Sequence, residues 1–232
     1  MKNYLIIGGS SGIGKELVQQ LELEVCRVYA TYCQHPVETE NPNTTFHFLD
    51  VLQDNPDLSF LPETLDGLVY LPDSINLVPF HRLKPGDFVT DFQLQVNGAI
   101  KVVQAVLPHL KAAGAASIVF FSTVAVQTGF PFHAQVAVSK GAIEGLTRAL
   151  AAEFAPAIRV NAIAPSLTDT PLAARYLNTP EKTQANAQRH PLKRLGTAPD
   201  LAEMAAFLLS SRSSWMTGQI LHVDGGMSSI RL

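Results

Sequence analysis

The sequence predicts an α/β protein built on a doubly wound parallel sheet of about seven strands with helices on both faces. Three observations predict it. The chain opens on the apolar run Leu5–Ile6–Ile7, passes through Gly8–Gly9–Ser10–Ser11–Gly12–Ile13–Gly14, and from Lys15 continues with apolar residues at helical spacing (Leu17, Val18, Leu21). Short runs rich in β-branched residues then alternate with longer segments of helical period, the pattern of βαβ units. Finally, the 232 residues match the roughly 200–250 that an α/β fold uses as one domain, so residues 1–232 are read as a single domain.

The opening unit organises the rest. Its apolar run is too short for a helix, which needs about 10–12 residues, so the order is strand, glycine-rich turn, helix N-terminus. Glycines let backbone N–H groups approach a diphosphate closely, and the helix dipole favours the negative charge. Gly8, Ser10, Ser11, Gly12, Ile13 and Gly14 are therefore candidate cofactor residues, a plain tight turn being the other use of the same sequence.

Val25–Thr31 reads as the second strand. In dinucleotide folds the end of this strand meets the adenosine ribose, where a carboxylate selects NAD. Thr31, Tyr32, Cys33, Gln34 and His35 include no carboxylate, which tilts the choice toward NADP; they include no Arg or Lys either, so NAD stays open. Thr44–Asp50 is the third strand, ending beside Val51. Gln53–Pro62 is a polar connection, and Asp66–Leu71 the fourth strand. A long helical pattern runs from Pro85 to Lys111 through Phe88, Phe92, Val96, Ile100, Val103 and Val106, with Asn97 inside it. Ala116–Phe121 is apolar throughout, as a central strand buried on both faces should be. A helix follows around His133–Arg148, then a sixth strand at Ala157–Ala164. Residues 172–195 are polar and irregular, with scattered cations (Arg175, Arg189, His190, Arg194), and read as a mobile lid over the substrate. Pro199–Leu209 is an amphipathic helix, and Trp215–Gly226 holds the last strand and a closing turn, with Trp215 read as a packing residue.

Composition excludes other classes. A formal net charge of −3 offers no basic surface for nucleic acid, and no apolar run approaches the roughly 18 residues of a membrane span. The first residues lack a signal-peptide pattern. Cys26 and Cys33 form neither a zinc-type cluster nor a disulfide framework, so a reducing cytoplasmic setting and no metal site are expected.

Several of these motifs together resemble the short-chain dehydrogenase/reductase family, and the likeness spans nearly the whole chain. Gly8-x-x-x-Gly12-x-Gly14 matches its cofactor loop TGxxxGxG, with Ile7 in place of the Thr. The resemblance implies a Rossmann-type fold and an NAD(P)-dependent oxidoreductase moving hydride to or from a small carbonyl or alcohol substrate. It implies an adenine contact at Asp50 and Val51, a proton-relay position for Asn97, and nicotinamide and diphosphate contacts at Pro165 and Thr170, in a PGxxxT-like segment whose Gly is Ser166. The run Ser139-Lys140-Gly141-Ala142, with the residues beyond it to Arg148, fixes Lys140 as the family's active-site Lys, which binds the ribose hydroxyls. Thr123 takes the place of the hydroxyl that holds the carbonyl, with Ser122 beside it as the alternative. A homodimer or homotetramer is also implied.

Two departures stand out. The family's Asn-Asn-Ala-Gly is Tyr70-Leu71-Pro72-Asp73, and the position of the proton-exchanging Tyr, four residues before Lys140, is Val136. His133 is the nearest titratable group to that gap, and Tyr176 of the lid a more distant one. The alternatives are therefore an oxidoreductase with an altered proton donor, an inactive dinucleotide-binding or scaffold homologue, or a lyase or isomerase reusing the pocket.

Overall fold

The computed structural model describes residues 1–231. Strand β1 (Lys2–Ile7) leads through the glycine turn into helix α1 (Gly12–Leu21), then β2 (Cys26–Tyr32), β3 (Thr44–Phe48) and β4 (Gly67–Tyr70). Next come α2 (Pro85–Phe92), a π-helical segment (Gln93–Asn97), α3 (Gly98–Ala112), β5 (Ala116–Phe121), α4 (Ala134–Phe154) and β6 (Ile158–Pro165). The last part holds β7 (Thr168–Asp169), a 3₁₀ segment (Pro171–Tyr176), α5 (Pro180–Arg189), β8 (Gly196–Thr197), α6 (Ala198–Leu209) and β9 (Ile220–Val223).

Seven strands form one sheet in the order β3-β2-β1-β4-β5-β6-β9, every neighbouring pair parallel, while β7 and β8 make a separate small ribbon. Alternation along β1 shows why both faces need helices. Leu5 and Ile7 join one core with Leu68, Phe120, Val102 and Ile143, whereas Ile6 joins the other with Leu17, Val69, Val119 and Leu208. Neighbours at the carboxyl ends are in register: Ile7 pairs with Tyr70, and Tyr70 with Phe120. The chain leaves β1 toward β2 and β3 on one side and returns to build β4 and β5 on the other, which opens a crevice at the switch point between β1 and β4.

Three expectations change. The helix expected over Pro85–Lys111 is interrupted by the π-helical turn Gln93–Asn97, a one-residue expansion that the apolar period passes over. The expected irregular lid at 172–195 instead holds the 3₁₀ segment and α5, whose start is fixed by Thr179 accepting from the Lys182 N–H and by Pro180 in the first turn. Trp215 does not pack; its side chain is fully exposed. Cys26 is buried, as a strand position predicts, and donates to the Leu21 carbonyl at 3.1 Å, while Cys33 is exposed. Among the described residues no helix is long and apolar enough to cross a membrane, and no group of ligating side chains is placed to hold a metal ion.

Candidate active site

The glycine turn is set by backbone geometry rather than by side chains. Gly8 has φ +84°, a region that costs other residues dearly. Its N–H is received by Thr31 Oγ1 at 3.1 Å, and the Gly9 N–H by the Thr31 carbonyl at 2.9 Å. Thr31 is thus buried as the brace of the loop, with its hydroxyl committed to Gly8 rather than turned to a ligand. Gly14 fixes how closely α1 meets the turn, because a methyl there would overlap the Gly8 carbonyl. Ser11 is the N-cap of α1 and makes no side-chain cap bond, and Ser10 beside it is half-buried. The turn lies between two walls: a Cβ on Gly12 would stand 3.6 Å from Thr170, and one on Gly8 would stand 3.6 Å from Pro72. A turn of this shape, at a helix N-terminus and with no carboxylate at the end of β2, fits a dinucleotide diphosphate.

Asp50 caps a turn with one of its oxygens. Its Oδ1 accepts the Leu52 N–H at 2.9 Å, and Val51 is buried against Gly98.

Beyond the turn lies a cavity of about 360 Å³, whose walls include Asp73, Thr123, Val136, Lys140, Pro165 and Tyr176. Lys140 projects from α4 to the end of β5. It is 3% exposed, and its Nζ donates to the Phe121 carbonyl at 3.0 Å and pairs with Asp73 Oδ2 at 3.1 Å. Val136, one helical turn before Lys140, offers the cavity only methyl groups. Thr123 lines the same wall, its Oγ1 accepting the Ala125 N–H at 3.3 Å.

The other expected residues divide. Ser122 is turned inward, donating to Glu144 Oε1 at 2.8 Å, because α4 carries that carboxylate behind β5. Both Ser122 and Thr123 line the cavity; the Ser122 proton is committed to Glu144, whereas Thr123 Oγ1 accepts the Ala125 N–H. Asn97 closes the π-helical turn and its Nδ2 donates to Gln93 Oε1 at 2.9 Å; it is not brought to the cavity. His133, the N-cap of α4, stands at the cavity wall with Nδ1 donating to the Pro131 carbonyl at 2.7 Å. Tyr176 reaches over from the 3₁₀ segment, its hydroxyl accepting from the Leu77 N–H at 3.2 Å and donating to the Ile75 carbonyl at 3.4 Å. Pro165 ends β6, and Thr170 Oγ1 donates to the Thr168 carbonyl at 3.4 Å.

Sequence reasoning missed Asp73, which stood out only as part of a departure after β4. It also missed the buried carboxylate behind it. Asp91 of α2 accepts from Ser74 Oγ, from Ser139 Oγ of α4 and from Gln95 Nε2. These bonds join three elements distant in sequence, and no local spacing announces them. Burial raises the Asp73 carboxyl above the usual carboxylate range; Lys140 offsets part of that rise and Asp91 adds to it. Burial likewise pushes the Tyr70 phenol well up, with the Asp73 charge adding to the rise.

A glycine turn at a helix N-terminus and a cavity with a buried lysine, both at the carboxyl ends of a parallel sheet, are the arrangement of a nucleotide-dependent oxidoreductase. Comparison with known proteins agrees. A family model described as enoyl-(acyl carrier protein) reductase matches residues 63–228. L-xylulose reductase of Bos taurus is 31% identical over 97% of this chain and 96% of its own. A tropinone reductase homolog of Arabidopsis thaliana is 32% identical over 97% of this chain and 92% of its own. Among solved structures, ElxO with NADP bound superposes with a TM-score of 0.90 at 28% identity, covering 99% of both chains. The chain belongs to the short-chain dehydrogenase/reductase family. It is an NAD(P)-dependent oxidoreductase by type, and its homologues act on small molecules.

Proposed function

We propose that this protein is an NADP(H)-dependent oxidoreductase that interconverts a small carbonyl compound and its alcohol, at an active site where Val136 replaces the family's phenol. One observation carries this function: Lys140 is held by the Phe121 carbonyl inside a cavity that also presents Thr123, next to the glycine turn. NADP(H) is preferred over NAD(H) because no carboxylate stands among residues 31–35 to repel a 2′-phosphate, and the structural relative ElxO binds NADP. The cofactor's nicotinamide supplies or accepts the hydride when bound. Gly8, Ser10, Ser11, Gly12, Ile13 and Gly14 hold its diphosphate, Asp50 and Val51 its adenine, and Pro165 and Thr170 its nicotinamide end. Thr31 acts indirectly, by bracing the turn. The Thr123 hydroxyl orients the substrate oxygen, and the Lys140 ammonium stabilises negative charge developing there. Residues 1–232 work as one domain, in the cytoplasm, as a homodimer or homotetramer, without metal, membrane or nucleic acid.

The loss of the phenol favours one rival, a dinucleotide-binding homologue without catalysis. Calorimetry with NADPH and NADH, followed by turnover, separates them. Micromolar binding, tighter for NADPH, with reduction of an α-dicarbonyl supports the enzyme. Binding without turnover supports the rival, and absence of binding to folded protein rejects both.

A further inference from the structure

The family mechanism requires a group that exchanges a proton with the substrate oxygen, and Val136 has none. Asp73 is the only carboxylate among the described residues lining the cavity, and it shares that wall with Thr123 and Val136. We propose that Asp73 is the proton-exchanging group of this active site. The proposal rests on the oxidoreductase function above and deepens it.

Its geometry suits the task. Asp73 Oδ1 accepts the Ser74 N–H at 2.7 Å while Oδ2 faces Lys140 Nζ at 3.1 Å. The segment carrying it is held on several sides: Ser74 Oγ donates to Asp91, Asn76 Nδ2 donates to Gln135 Oε1 at 2.9 Å, and Tyr176 bonds the backbone of Ile75 and Leu77. The carboxyl is therefore positioned before any substrate arrives, as proton transfer requires.

Two of its competitors are engaged elsewhere, while His133 is bonded to the Pro131 carbonyl through Nδ1 alone and keeps Nε2, so His133→Ala must leave the reduction in place if Asp73 is the donor. The Tyr176 hydroxyl is used as both donor and acceptor on the 75–77 backbone. His190 is tied to the Asn186 carbonyl at 2.9 Å through Nδ1 and to Ser166 Oγ at 2.8 Å through Nε2.

The charged and titratable groups facing Asp73 are Lys140 from α4, Asp91 from α2 and Tyr70 from β4. Burial raises the carboxyl, with the Lys140 charge and the Ser74 N–H opposing that rise. In alcohol oxidation the hydroxyl proton passes to the Asp73 carboxylate while the C–H hydride passes to the oxidised nicotinamide. The products are a carbonyl compound, reduced cofactor and an Asp73 carboxylic acid, which loses its proton to water. Reduction is the reverse, with the carboxylic acid delivering the proton as hydride arrives at carbon.

The test is NADPH-dependent reduction of phenanthrenequinone and 2,3-butanedione by the full chain across the acidic and neutral range, with calorimetric NADPH affinity for every variant. Wild type is expected to lose reduction as pH rises through the Asp73 titration. Asp73→Asn should lower kcat about 10²–10⁴-fold, abolish that limb, and leave NADPH affinity within about threefold. Asp73→Glu should keep the limb and part of the activity. Because Asp73→Asn strips a buried lysine of its partner, the double variant D73N/V136Y serves as a second probe. Regained reduction, its limb displaced into a phenol's range, supports the proposal by showing that only the proton donor was lost. A ¹³C carboxyl signal that disappears in Asp73→Asn should titrate above the ordinary carboxylate range in the wild type. The proposal is overturned if Asp73→Asn keeps kcat within about threefold, if the limb persists in that variant, or if wild type binds NADPH yet reduces neither dicarbonyl. Failure of wild type to bind NADPH overturns instead the function on which the proposal rests.

Discussion

The β1–α1 turn and the β4–α4 wall face each other across one crevice, yet they are built on opposite terms. Seven consecutive residues, Gly8 to Gly14, make the turn almost by themselves; the one side chain they borrow is Thr31. The wall around Asp73 draws on β4, α2, α4 and the 3₁₀ segment, through bonds between residues 17 to 101 positions apart. A locally determined site changes little as the rest of a chain drifts, whereas a site assembled from distant parts can exchange one group for another while its scaffold stays.

The comparison can be broken at its strongest point with Gly14→Ala. The added methyl meets the Gly8 carbonyl oxygen, and backbone cannot step aside as a flexible side chain can. A loss of about 3 kcal/mol of stability and of all measurable NADPH binding is expected from denaturant titration and calorimetry. Asp91→Asn tests the wall. It places an amide N–H₂ among donors that now share a carboxylate, and about 2 kcal/mol of stability should go, with NADPH affinity nearly unchanged. If it instead abolished NADPH binding, the two regions would not be separable. Tyr176→Phe is milder, because it leaves the Leu77 N–H without its acceptor. It should cost about 1 kcal/mol and show as faster hydrogen exchange confined to the 75–77 segment.

The smallest effect lies outside both regions. Arg194 makes a two-pronged bond to Asp200 at 2.6 and 2.8 Å, which holds that carboxyl well below the usual range, with Thr197 helping. The folded state therefore favours the ionised form. Its contribution is present above the ordinary carboxylate pKa of about 4 and fades as pH falls through and below it. The pair is about half exposed on the Arg194 side, 54%, so Asp200→Asn should cost less than about 1 kcal/mol at neutral pH, and nothing in strong acid.

Much of this architecture was legible in the sequence because its causes are local or periodic. Apolar runs placed the five strands from β2 to β6 to within one or two residues and located β1 and β9 more loosely, and the family resemblance of Ser139–Arg148 put Lys140 on a helix that the structure turns toward the cavity. What was not legible depended on distance. The π-helical turn at Gln93–Asn97 leaves the apolar rhythm intact, so nothing in the sequence showed that the Asn97 amide, given a proton-relay position by resemblance, donates to Gln93. The commitment of Ser122 to Glu144 spans 22 positions. Trp215 carried the composition of a core residue without a core to enter. Asp73 follows Pro72 in what read only as a broken motif, and it acquires meaning when folding sets it 3.1 Å from Lys140.

The hydroxyl of Tyr176 touches the same short segment that begins at Asp73. The roof of the cavity and its carboxyl-bearing wall are thereby latched together. The position of the carboxyl and the position of the 171–176 segment are therefore not independent of each other, and that interdependence runs through one phenolic oxygen.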